Sequence, residues 1–373
     1  MIGIFFILVI YSVVILCLYI GFNQVQTLQF ENASPKTRFS VIIPFKDEAK
    51  HLPFLLKSFS ALNYPKELFE VLLINDASED TSVKLVTRFI EDSPLNIRLL
   101  HSTKESASPK KEAIQKAIQK ANFEWIVTTD ADCTFGENWL DSYNQFILKN
   151  EVKFVASPVT YSIKNRFFEA FQLLDFSSLI GVTMGSFGLK QPLMCNGANL
   201  AYKKSLFTTL NGFDGNTNIA SGDDVFLLEK AVKHNKNKVA FLKLKEAIVY
   251  TKPVKTWKQL VSQRIRWASK TGQSNQIATK LLGLLVLSIN GLFVIALLNI
   301  FIQLTHFKYS LAFIILKMTI DVLLIGKTLS FFKQLNVLKY YLLVAFVYPF
   351  FNVYVAIVSL FGGYKWKNRV YKR

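Results

Sequence analysis

The stretch that decides the fold is "WIVTTDADCTF", Trp125 to Phe135. Apolar and β-branched residues lead into Asp-Ala-Asp, so a buried strand would end beside two carboxylates, those of Asp130 and Asp132. Residues i and i+2 of a strand face the same side, and if the strand frays here both carboxylates can converge on one cation. Asp-X-Asp is also common in solvated turns. The rest of the sequence is therefore needed to decide whether these aspartates form a cation site or a solvated turn.

Predicted strands and helices alternate around this stretch. The segments "FSVIIPF", "FEVLLIND" and "NIRLLHS" predict strands, whereas "AKHLPFLLKSFSAL", "DTSVKLVTRFIED" and "KKEAIQKAIQKA" have helical spacing. This alternation is typical of a mostly parallel sheet covered by helices. Ligands bind such sheets outside the carboxyl ends of the strands. We therefore expect the polar residues at these ends to line one rim; they are Lys46, Asp47, Glu48, Asn75, Asp76, Asp130 and Asp132.

The composition predicts membrane-spanning helices outside this domain, since 51% of the 373 residues are hydrophobic. Residues 2–21, 281–307 and 340–364 carry no charged side chain, and each is long enough to cross a hydrocarbon core of about 30 Å. A fourth segment, residues 309–325, holds a lysine and an aspartate at i and i+4, where they can pair on one helix face. The first segment lacks the flanks of a signal peptide, which favours an uncleaved anchor.

The net charge of +18 is unevenly distributed. Residues 1–246 carry 27 basic and 25 acidic side chains, whereas residues 247–373 carry 17 basic side chains and one acidic one, Asp321. Excess positive charge beside membrane spans favours contact with anionic lipid headgroups over nucleic acid. The three cysteines form no Cys-X-X-Cys pattern, so neither a disulfide framework nor a zinc site is predicted.

An aspartate pair, Asp223 and Asp224, opens the predicted helix "DVFLLEKAVK". Aspartate is a favoured N-cap, which explains one of the two residues. The other is then free to face a cleft. Both residues follow the glycine-containing segment "MCNGANLAYKKSLF", which suits a close approach of backbone to a ligand or simply a turn.

The segment "TWKQLVSQRIRWASK" predicts an amphipathic helix at the membrane interface. Its apolar stripe consists of Trp257, Leu260, Val261, Ile265 and Ala268, and a separate face holds Gln263, Arg266, Trp267 and Lys270. An interfacial anchor explains the tryptophan among cations. A polar face that looks towards the rim explains it equally well, and the two interpretations are compatible.

In this order the motifs resemble those of membrane-bound family 2 glycosyltransferases, which are nucleotide-sugar-dependent and inverting. The matching elements are Asp76, the pair Asp130 and Asp132, the pair Asp223 and Asp224, and Gln263, Arg266 and Trp267 as Gln-X-X-Arg-Trp. The chain is similar to ceramide-glucosyltransferase-like and to processive polysaccharide-synthase-like members over residues 39–267. The ending "YKWKNRVYKR" resembles that of lipid-glucosylating relatives. Asp47, Pro109 and Asp223 replace the usual asparagine, glycine and glutamate, which leaves the carboxylates in place but the substrate open.

The resemblance implies an α/β GT-A-type nucleotide-sugar-binding domain with a mostly parallel sheet, flanked by transmembrane helices. The domains are then an anchor at 1–22, a cytoplasmic catalytic domain at 38–252, an interfacial helix at 253–279, two to three membrane spans at 280–364 and a basic tail at 365–373. The location it implies is a bacterial inner (plasma) membrane.

Residue roles follow from the same resemblance. It implies a catalytic base, Asp224, with Asp223 beside it, and Mg²⁺ or Mn²⁺ held by Asp132 with help from Asp130. The donor, most simply a UDP-sugar, would contact Pro44, Glu48, Asp76, Lys111, Asp130, Gln263 and Arg266. The acceptor would contact Trp267, Asn196 and Gly197. Lys110 is a further candidate for donor phosphate, although we expect at least one of Lys110 and Lys111 to lie on a solvated helix face.

Four functions remain open on the sequence. The favoured one is a single transfer of sugar to a lipid acceptor, because about four spans offer little material for a channel. A processive polysaccharide synthase, which would use a glycan acceptor, is the runner-up. A basic membrane-bound binding protein without chemistry comes third, and nucleic-acid binding is distant because the soluble domain is nearly neutral.

The topology contains one conflict. Nucleotide sugars are cytoplasmic, so four crossings would leave the five cations of residues 365–373 outside, against the positive-inside rule. We therefore expect that one apolar segment does not cross and that the tail is cytoplasmic. The candidates are residues 309–325, with Lys317 and Asp321, and the last segment, with Pro349 and Gly362-Gly363.

Overall fold

The computed structural model describes residues 2–31, 33–102, 108–217, 221–302, 307–361, 364–366 and 369–371. Its helices are α1 Ile2–Gln24, α2 Leu52–Ser60, α3 Ser82–Asp92, α4 Pro109–Lys120, α5 Trp139–Lys149, α6 Phe167–Gly188, α7 Lys204–Thr209, α8 Val225–Asn235, α9 Trp257–Gln273, α10 Ile277–Ile302, α11 Phe307–Phe331 and α12 Tyr341–Phe361. Its strands are β1 Phe39–Phe45, β2 Phe69–Asn75, β3 Ile97–His101, β4 Trp125–Thr128, β5 Thr134–Phe135, β6 Phe154–Ala156, β7 Val159–Tyr161, β8 Leu200–Lys203, β9 Val239–Phe241, β10 Val249–Thr251, β11 Tyr364–Trp366 and β12 Arg369–Tyr371.

The chain divides into two units. The sheet unit comprises Gln26–Ser162 and Met194–Lys252. The helical unit comprises Met1–Val25, Ile163–Leu193 and Pro253–Arg373. Each is described by itself.

The sheet unit is built on a seven-stranded sheet in the order β3-β2-β1-β4-β8-β6-β9. The strands β3, β2, β1 and β4 are parallel, β8 runs antiparallel to β4 and β6, and β9 is parallel to β6. The central strand β1 is buried on both faces, with Val41, Ile42 and Ile43 fully enclosed, which explains its unbroken apolar sequence. The predicted α/β fold with a mostly parallel sheet is confirmed. A second sheet, in the order β5-β10-β7, lies in the same unit.

A buried polar anchor fixes α5 to the start of β8. The indole Nε1 of Trp139 and the hydroxyl of Tyr143 both donate to Oδ1 of Asn199, at 3.0 and 2.8 Å. The amide of Asn199 donates in turn to the carbonyls of Pro158 and Ala247. These bonds satisfy a fully buried side chain and hold the chain immediately after the 196–197 segment, which matters for the site below.

Among its described residues, the helical unit has five helices that are long and apolar enough to cross a membrane: α1, α6, α10, α11 and the segment Leu335–Leu360 that includes α12. The sequence analysis identified four of them and missed α6. Helices α1 and α6 cross closely at glycines, since a Cβ on Gly188 would lie 1.8 Å from the carbonyl oxygen of Gly21, and one on Gly185 would lie 2.4 Å from that of Leu18. Small residues at such a crossing allow close backbone packing.

The position of α6 in the chain restricts its path. It lies between β7 and β8, and β8 pairs with β4 and β6 in one sheet. A single crossing of the membrane by α6 would separate β8 from strands with which it is hydrogen-bonded. Therefore α6 does not pass through the membrane as a single span, although its length and composition would allow it.

A polar cluster joins α1, α10 and α11. The ammonium of Lys317 lies 2.8 Å from the carboxylate of Asp321, which confirms that these two residues pair on one helix face. Lys317 also donates to Oδ1 of Asn290 at 3.1 Å, and the hydroxyl of Tyr11 donates to Asp321 at 2.6 Å. Charged groups in an apolar helix thus have partners on neighbouring helices.

Candidate active site

The loops after β1 and β2 interlock at the rim of the sheet. The backbone N–H of Asp47 donates to Oγ of Ser78 at 3.0 Å, and the N–H of Glu79 donates back to Oδ1 of Asp47 at 2.8 Å. Asp47 has a positive φ of 52°, which an aspartate tolerates better than most residues. The two loops therefore form one hydrogen-bonded floor at the carboxyl ends of the strands.

This floor carries three of the predicted donor residues. Pro44 is the penultimate residue of β1, and Asp76 directly follows β2, where its N–H donates to the carbonyl of Phe45 at 2.8 Å. Asp76 is 8% exposed. Glu48 has its N–H bound to Oγ of Ser82 and its carboxylate 2.6 Å from Nδ1 of His51. The structure thus brings Pro44, Glu48 and Asp76 to the same rim, as expected.

The carboxylates of Asp130 and Asp132 follow β4 directly. The strand ends at Thr128, and the N–H of Cys133 donates to the carbonyl of Asp130, so the aspartates lie in a turn rather than in the strand. Oδ2 of Asp132 accepts from the hydroxyl of Thr251 at 3.1 Å. Burial, and then the charges of Asp130 and Glu48, raise the pKa of the Asp132 carboxyl above its ordinary value, while the bond from Thr251 lowers it.

These oxygens suit a divalent cation. Neighbouring carboxylates repel one another, and a hard cation relieves the repulsion. No cluster of three His, Cys, Asp or Glu side chains fit for a metal occurs within the described parts of the chain. One or two carboxylates completed by substrate phosphates and water is the usual arrangement for Mg²⁺. The residues present therefore fit Mg²⁺ or Mn²⁺ held by Asp132 and Asp130 together with a phosphorylated ligand.

Lys110, in the first turn of α4, joins the two aspartate pairs. Its Nζ lies 3.0 Å from Oδ1 of Asp130 and 3.1 Å from Oδ2 of Asp223. Burial alone would lower the pKa of this lysine, but the carboxylates of Asp130, Asp223 and Asp224 raise it above its ordinary value. Lys110 is therefore a cation that draws Asp130 and Asp223 towards one point.

The adjacent Lys111 is also enclosed, with 2% exposure. Its ammonium donates to the carbonyl of Asn216 at 2.7 Å and lies 5.2 Å from the ring centre of Phe226. Since the side chain of Lys110 is 21% exposed, the expectation that one of the two lysines lies on a solvated face was wrong. Carboxylates are the partners of the Lys110 ammonium, and a carbonyl of the 211–217 segment is a partner of the Lys111 ammonium. These contacts compensate for the hydration that the two ammonium groups lose. A contact of Lys111 with donor phosphate stays a prediction.

The second aspartate pair lies against the 196–197 segment. Asp224 is the N-cap of α8, since its Oδ1 accepts from the N–H of Val225 at 2.8 Å. Its Oδ2 accepts from the N–H of Gly197 at 3.1 Å. A Cβ on Gly197 would lie 3.3 Å from Oδ2 of Asp223. The adjacent Asn196 uses its own Oδ1 to accept from the N–H of Ala198. Asn196 and Gly197, the predicted acceptor residues, are therefore beside the carboxylates.

From the sequence, one aspartate of the pair was expected to cap the helix and the other to be free to face a cleft, and Asp224 was chosen as the base. In the structure the capping residue is Asp224, which was also the chosen base, and Asp223 contacts Lys110. A carboxylate has about four lone-pair positions on its two oxygens. Two backbone N–H bonds therefore orient Asp224 without removing its capacity to accept a proton. Its assignment as the base stays a prediction.

The predicted Gln263, Arg266 and Trp267 lie on α9, in the helical unit. There the sequence analysis overlooked Arg264, which donates to Oε1 of Gln263 and lies 4.1 Å from the ring centre of Trp267. The partner of Arg264 is Asp175 on α6. The signal that would have found the pair is a carboxylate in the middle of an apolar segment, Asp175, together with an arginine on the apolar side of the α9 helical wheel. That α9 residues reach the rim stays a prediction.

Comparison with known proteins gives the family of the domain. Residues 40–210 match the family described as Glycosyl transferase family 2. The chain is 22% identical over 253 residues to a poly-β-1,6-N-acetyl-D-glucosamine synthase of Staphylococcus epidermidis, a match that covers 66% of this chain and 57% of that protein. It is 32% identical over 127 residues to a dolichyl-phosphate β-glucosyltransferase of Dictyostelium discoideum, over 31% and 38% of the two chains. The matches thus span less than two thirds of the length of these two relatives. A match to the TarS glycosyltransferase of Staphylococcus aureus spans only 19% of that protein.

A solved structure shows the same fold over the whole chain. The mannosyltransferase PcManGT from Pyrobaculum calidifontis, solved with GDP-Man and Mn²⁺, aligns with a TM-score of 0.59 and 18% identity, covering 96% of each chain. The predicted GT-A-type domain flanked by apolar helices is confirmed at the level of the fold.

Proposed function

We propose that the chain is a family 2 glycosyltransferase, as the match of residues 40–210 supports, and that it transfers one sugar from a nucleoside-diphosphate sugar to a hydroxyl group of a membrane lipid, with inversion. The observation that carries this proposal is the convergence of Asp130, Asp223 and Lys110 at the rim where β1, β2 and β4 end. This arrangement suits a diphosphate with its cation and a hydroxyl group that is to be deprotonated. The ammonium attracts phosphate, and the carboxylates can bind the cation and accept the proton.

The donor would lie across the floor formed by the loops after β1 and β2. Asp76 and Glu48 would orient the nucleoside, with Pro44 beneath it. A divalent cation on Asp132 and Asp130, when bound, supplies positive charge to the leaving diphosphate. The ammonium of Lys110 lies within 3.1 Å of one carboxylate of each pair, those of Asp130 and Asp223. It would therefore add a positive charge of the protein to that of the cation at this position.

The acceptor hydroxyl would approach from the side of Asn196 and Gly197. As its oxygen forms a bond to the anomeric carbon, its proton passes to Asp224, and the bond between that carbon and the diphosphate oxygen breaks. The bonds from Gly197 and Val225 fix the Asp224 carboxylate in one orientation. A positioned base contributes about 10²–10⁴-fold in rate. From α9, Gln263 and Arg266 would add bonds to the phosphates and Trp267 a flat face to the acceptor.

A lipid acceptor is supported by the extent of apolar structure. Since α6 cannot be a single span, the candidate spans in the described residues are α1, α10, α11 and α12. Four helices are few for lining a polysaccharide channel. The name of the Dictyostelium relative gives it a lipid-phosphate acceptor. The name of the Staphylococcus epidermidis relative gives it a polysaccharide product, so a processive synthase is the second candidate.

We place the protein in a bacterial inner membrane, with the catalytic domain and the tail both cytoplasmic. Tyr340, directly before α12, donates its hydroxyl to the carbonyl of Asn165, directly before α6. After α12, strand β11 lies beside α9. Both ends of α12 thus lie beside segments that are close in sequence to the sheet unit, which supports a last segment that does not cross the membrane, although α12 is one continuous helix. Lys367, Lys372 and Arg373 of the tail lie outside the described residues.

The proposal is tested by a donor screen in membranes that contain the protein. UDP- and GDP-sugars are supplied with and without lipid extract, nucleoside diphosphate release is measured, and products are sized by mass spectrometry. We expect release that depends on lipid and a lipid product heavier by one sugar. A polymer of many sugars would favour the processive synthase, and no turnover with any donor would favour a binding protein without chemistry.

A further inference from the structure

Arg264 is an unusual residue for the inner side of an interfacial helix. It is 6% exposed, although its guanidinium is always charged. Its Nε lies 2.5 Å from Oδ2 of Asp175, which is 5% exposed and belongs to α6. A buried ion pair is retained only where geometry and further hydrogen bonds compensate for lost hydration.

The same guanidinium orients two residues of the Gln-X-X-Arg-Trp motif. It donates to Oε1 of Gln263 and lies 4.1 Å from the ring centre of Trp267, within the range of a cation–π interaction. The ring of Trp267 also contacts Phe176, the residue after Asp175, at 5.9 Å between ring centres. Arg264, which α6 holds in place through Asp175, thus contacts both Gln263 and Trp267.

A third helix supports this arrangement. Helix α12 packs against α6 about one turn before Asp175, since the rings of Tyr348 and Phe351 lie 6.2 and 5.2 Å from that of Phe171. The part of α6 that carries Asp175 therefore contacts both α9 and α12. A change at Asp175 is expected to reach Trp267 through Arg264, although none of the contacts described here joins Asp175 to Trp267 directly.

We propose that Arg264, held by Asp175, is a positioning residue that sets Trp267 for the lipid acceptor at the membrane surface. This inference rests on the proposed function, since it assigns Trp267 to the acceptor. The pair would then govern how the activated sugar is partitioned between lipid and water, while the residues of the sheet unit govern its activation.

The test compares Asp175→Asn and Arg264→Lys with Asp321→Asn. The control also removes a buried carboxylate charge from an apolar helix, where Asp321 pairs with Lys317 on α11. Sugar transfer to lipid and hydrolysis of donor are measured in the same membranes. We expect transfer to fall by about 10- to 100-fold in both test variants, because small misplacements cost that much. Hydrolysis of donor should fall less, so that the ratio of transfer to hydrolysis drops, since among the contacts described for Arg264 only that with Gln263 connects it to the donor. Asp321→Asn should lower thermal stability but leave the ratio of transfer to hydrolysis unchanged.

A second readout follows Trp267 itself. The full-length protein is labelled with 5-fluorotryptophan, and the ¹⁹F resonance of Trp267 is assigned with Trp267→Phe. We expect Asp175→Asn to shift this resonance and to leave that of Trp139, which is buried in the sheet unit, unchanged.

The outcomes separate this inference from the proposed function. The positioning role would be overturned if the ratio of transfer to hydrolysis were unchanged in both test variants, or if it changed equally in Asp321→Asn. If the wild type turns over no donor, the proposed function fails, and the resonance alone then decides whether Asp175 positions Trp267. An unshifted resonance in Asp175→Asn would overturn the inference in either case, and Arg264→Lys serves if Asp175→Asn does not fold.

Discussion

Replacing Lys110 with methionine removes the ammonium that joins Asp130 to Asp223 while keeping most of the side-chain volume. At an effective dielectric constant of about 20, each contact at about 3 Å has a Coulomb attraction of about 5 kcal/mol, most of which offsets desolvation. Breaking a buried pair costs about 3–5 kcal/mol. Because the lysine side chain is 21% exposed, solvent screening reduces the expected loss to about 2–3 kcal/mol. For a domain of this size that corresponds to a fall in Tm of about 4–12 °C.

The assay is thermal unfolding of the purified protein in metal-free buffer and with excess Mn²⁺. A ligand at one hundred times its Kd stabilises the folded state by about 2.7 kcal/mol. In the variant the cation no longer competes with Lys110 for Asp130, so Mn²⁺ should raise Tm more in Lys110→Met than in the wild type. The matched control is Lys116→Met, also on α4, whose lysine pairs with Glu112 but is 41% exposed. Its Tm should change little, since exposed pairs contribute about 0–1 kcal/mol. Equal Tm values for the two variants, or an equal response to Mn²⁺ in Lys110→Met and the wild type, would refute the reasoning.

Three further predictions concern the metal, the acceptor and the topology. Activity should need a divalent cation and should fall by about 10²-fold or more in Asp132→Ala, since a bound metal supplies several kcal/mol; full activity after exhaustive chelation would contradict the metal site. Trp267→Ala should impair transfer to acceptor more than hydrolysis of donor, whereas an equal loss of both would indicate a structural tryptophan. A cysteine replacing Tyr371, in a variant without the native cysteines, should resist a membrane-impermeant thiol reagent in intact cells; labelling would place the tail outside.

The sheet and its rim could be predicted because their signals are local. Continuous apolar runs specify β1, β2 and β4, and the parallel arrangement then brings their carboxyl ends to one edge. The residues that follow, Asp76 and the Asp130–Asp132 turn, needed no knowledge of long-range contacts. Pairing of Lys110 with Asp223 did need it, because the two are far apart in sequence and either could equally have faced water.

The helical unit was harder to predict because its polar residues find partners on other helices. Helix α6 has a mean hydropathy of 1.2 in its most apolar window against 2.8 for α1, since Glu169 and Asp175 interrupt it. The helical-wheel projection of α9 predicted an apolar face, and Leu260 and Ile265 of that face are indeed buried. It gave no reason to bury Arg264 there, because the carboxylate that makes this favourable belongs to α6.

The proposed function requires that carboxylates at the rim carry out sugar transfer, with Asp224 as the base. The most direct measurement is lipid-dependent release of nucleoside diphosphate by the wild type, Asp224→Asn and Asp223→Asn, with donor affinity measured for each. The amide keeps the shape of Asp224 but cannot accept the hydroxyl proton, so Asp224→Asn should lose about 10²–10⁴-fold in rate while it binds donor like the wild type. Asp223→Asn, which changes a contact to Lys110, should lose less. Turnover of Asp224→Asn at the wild-type rate would contradict the account.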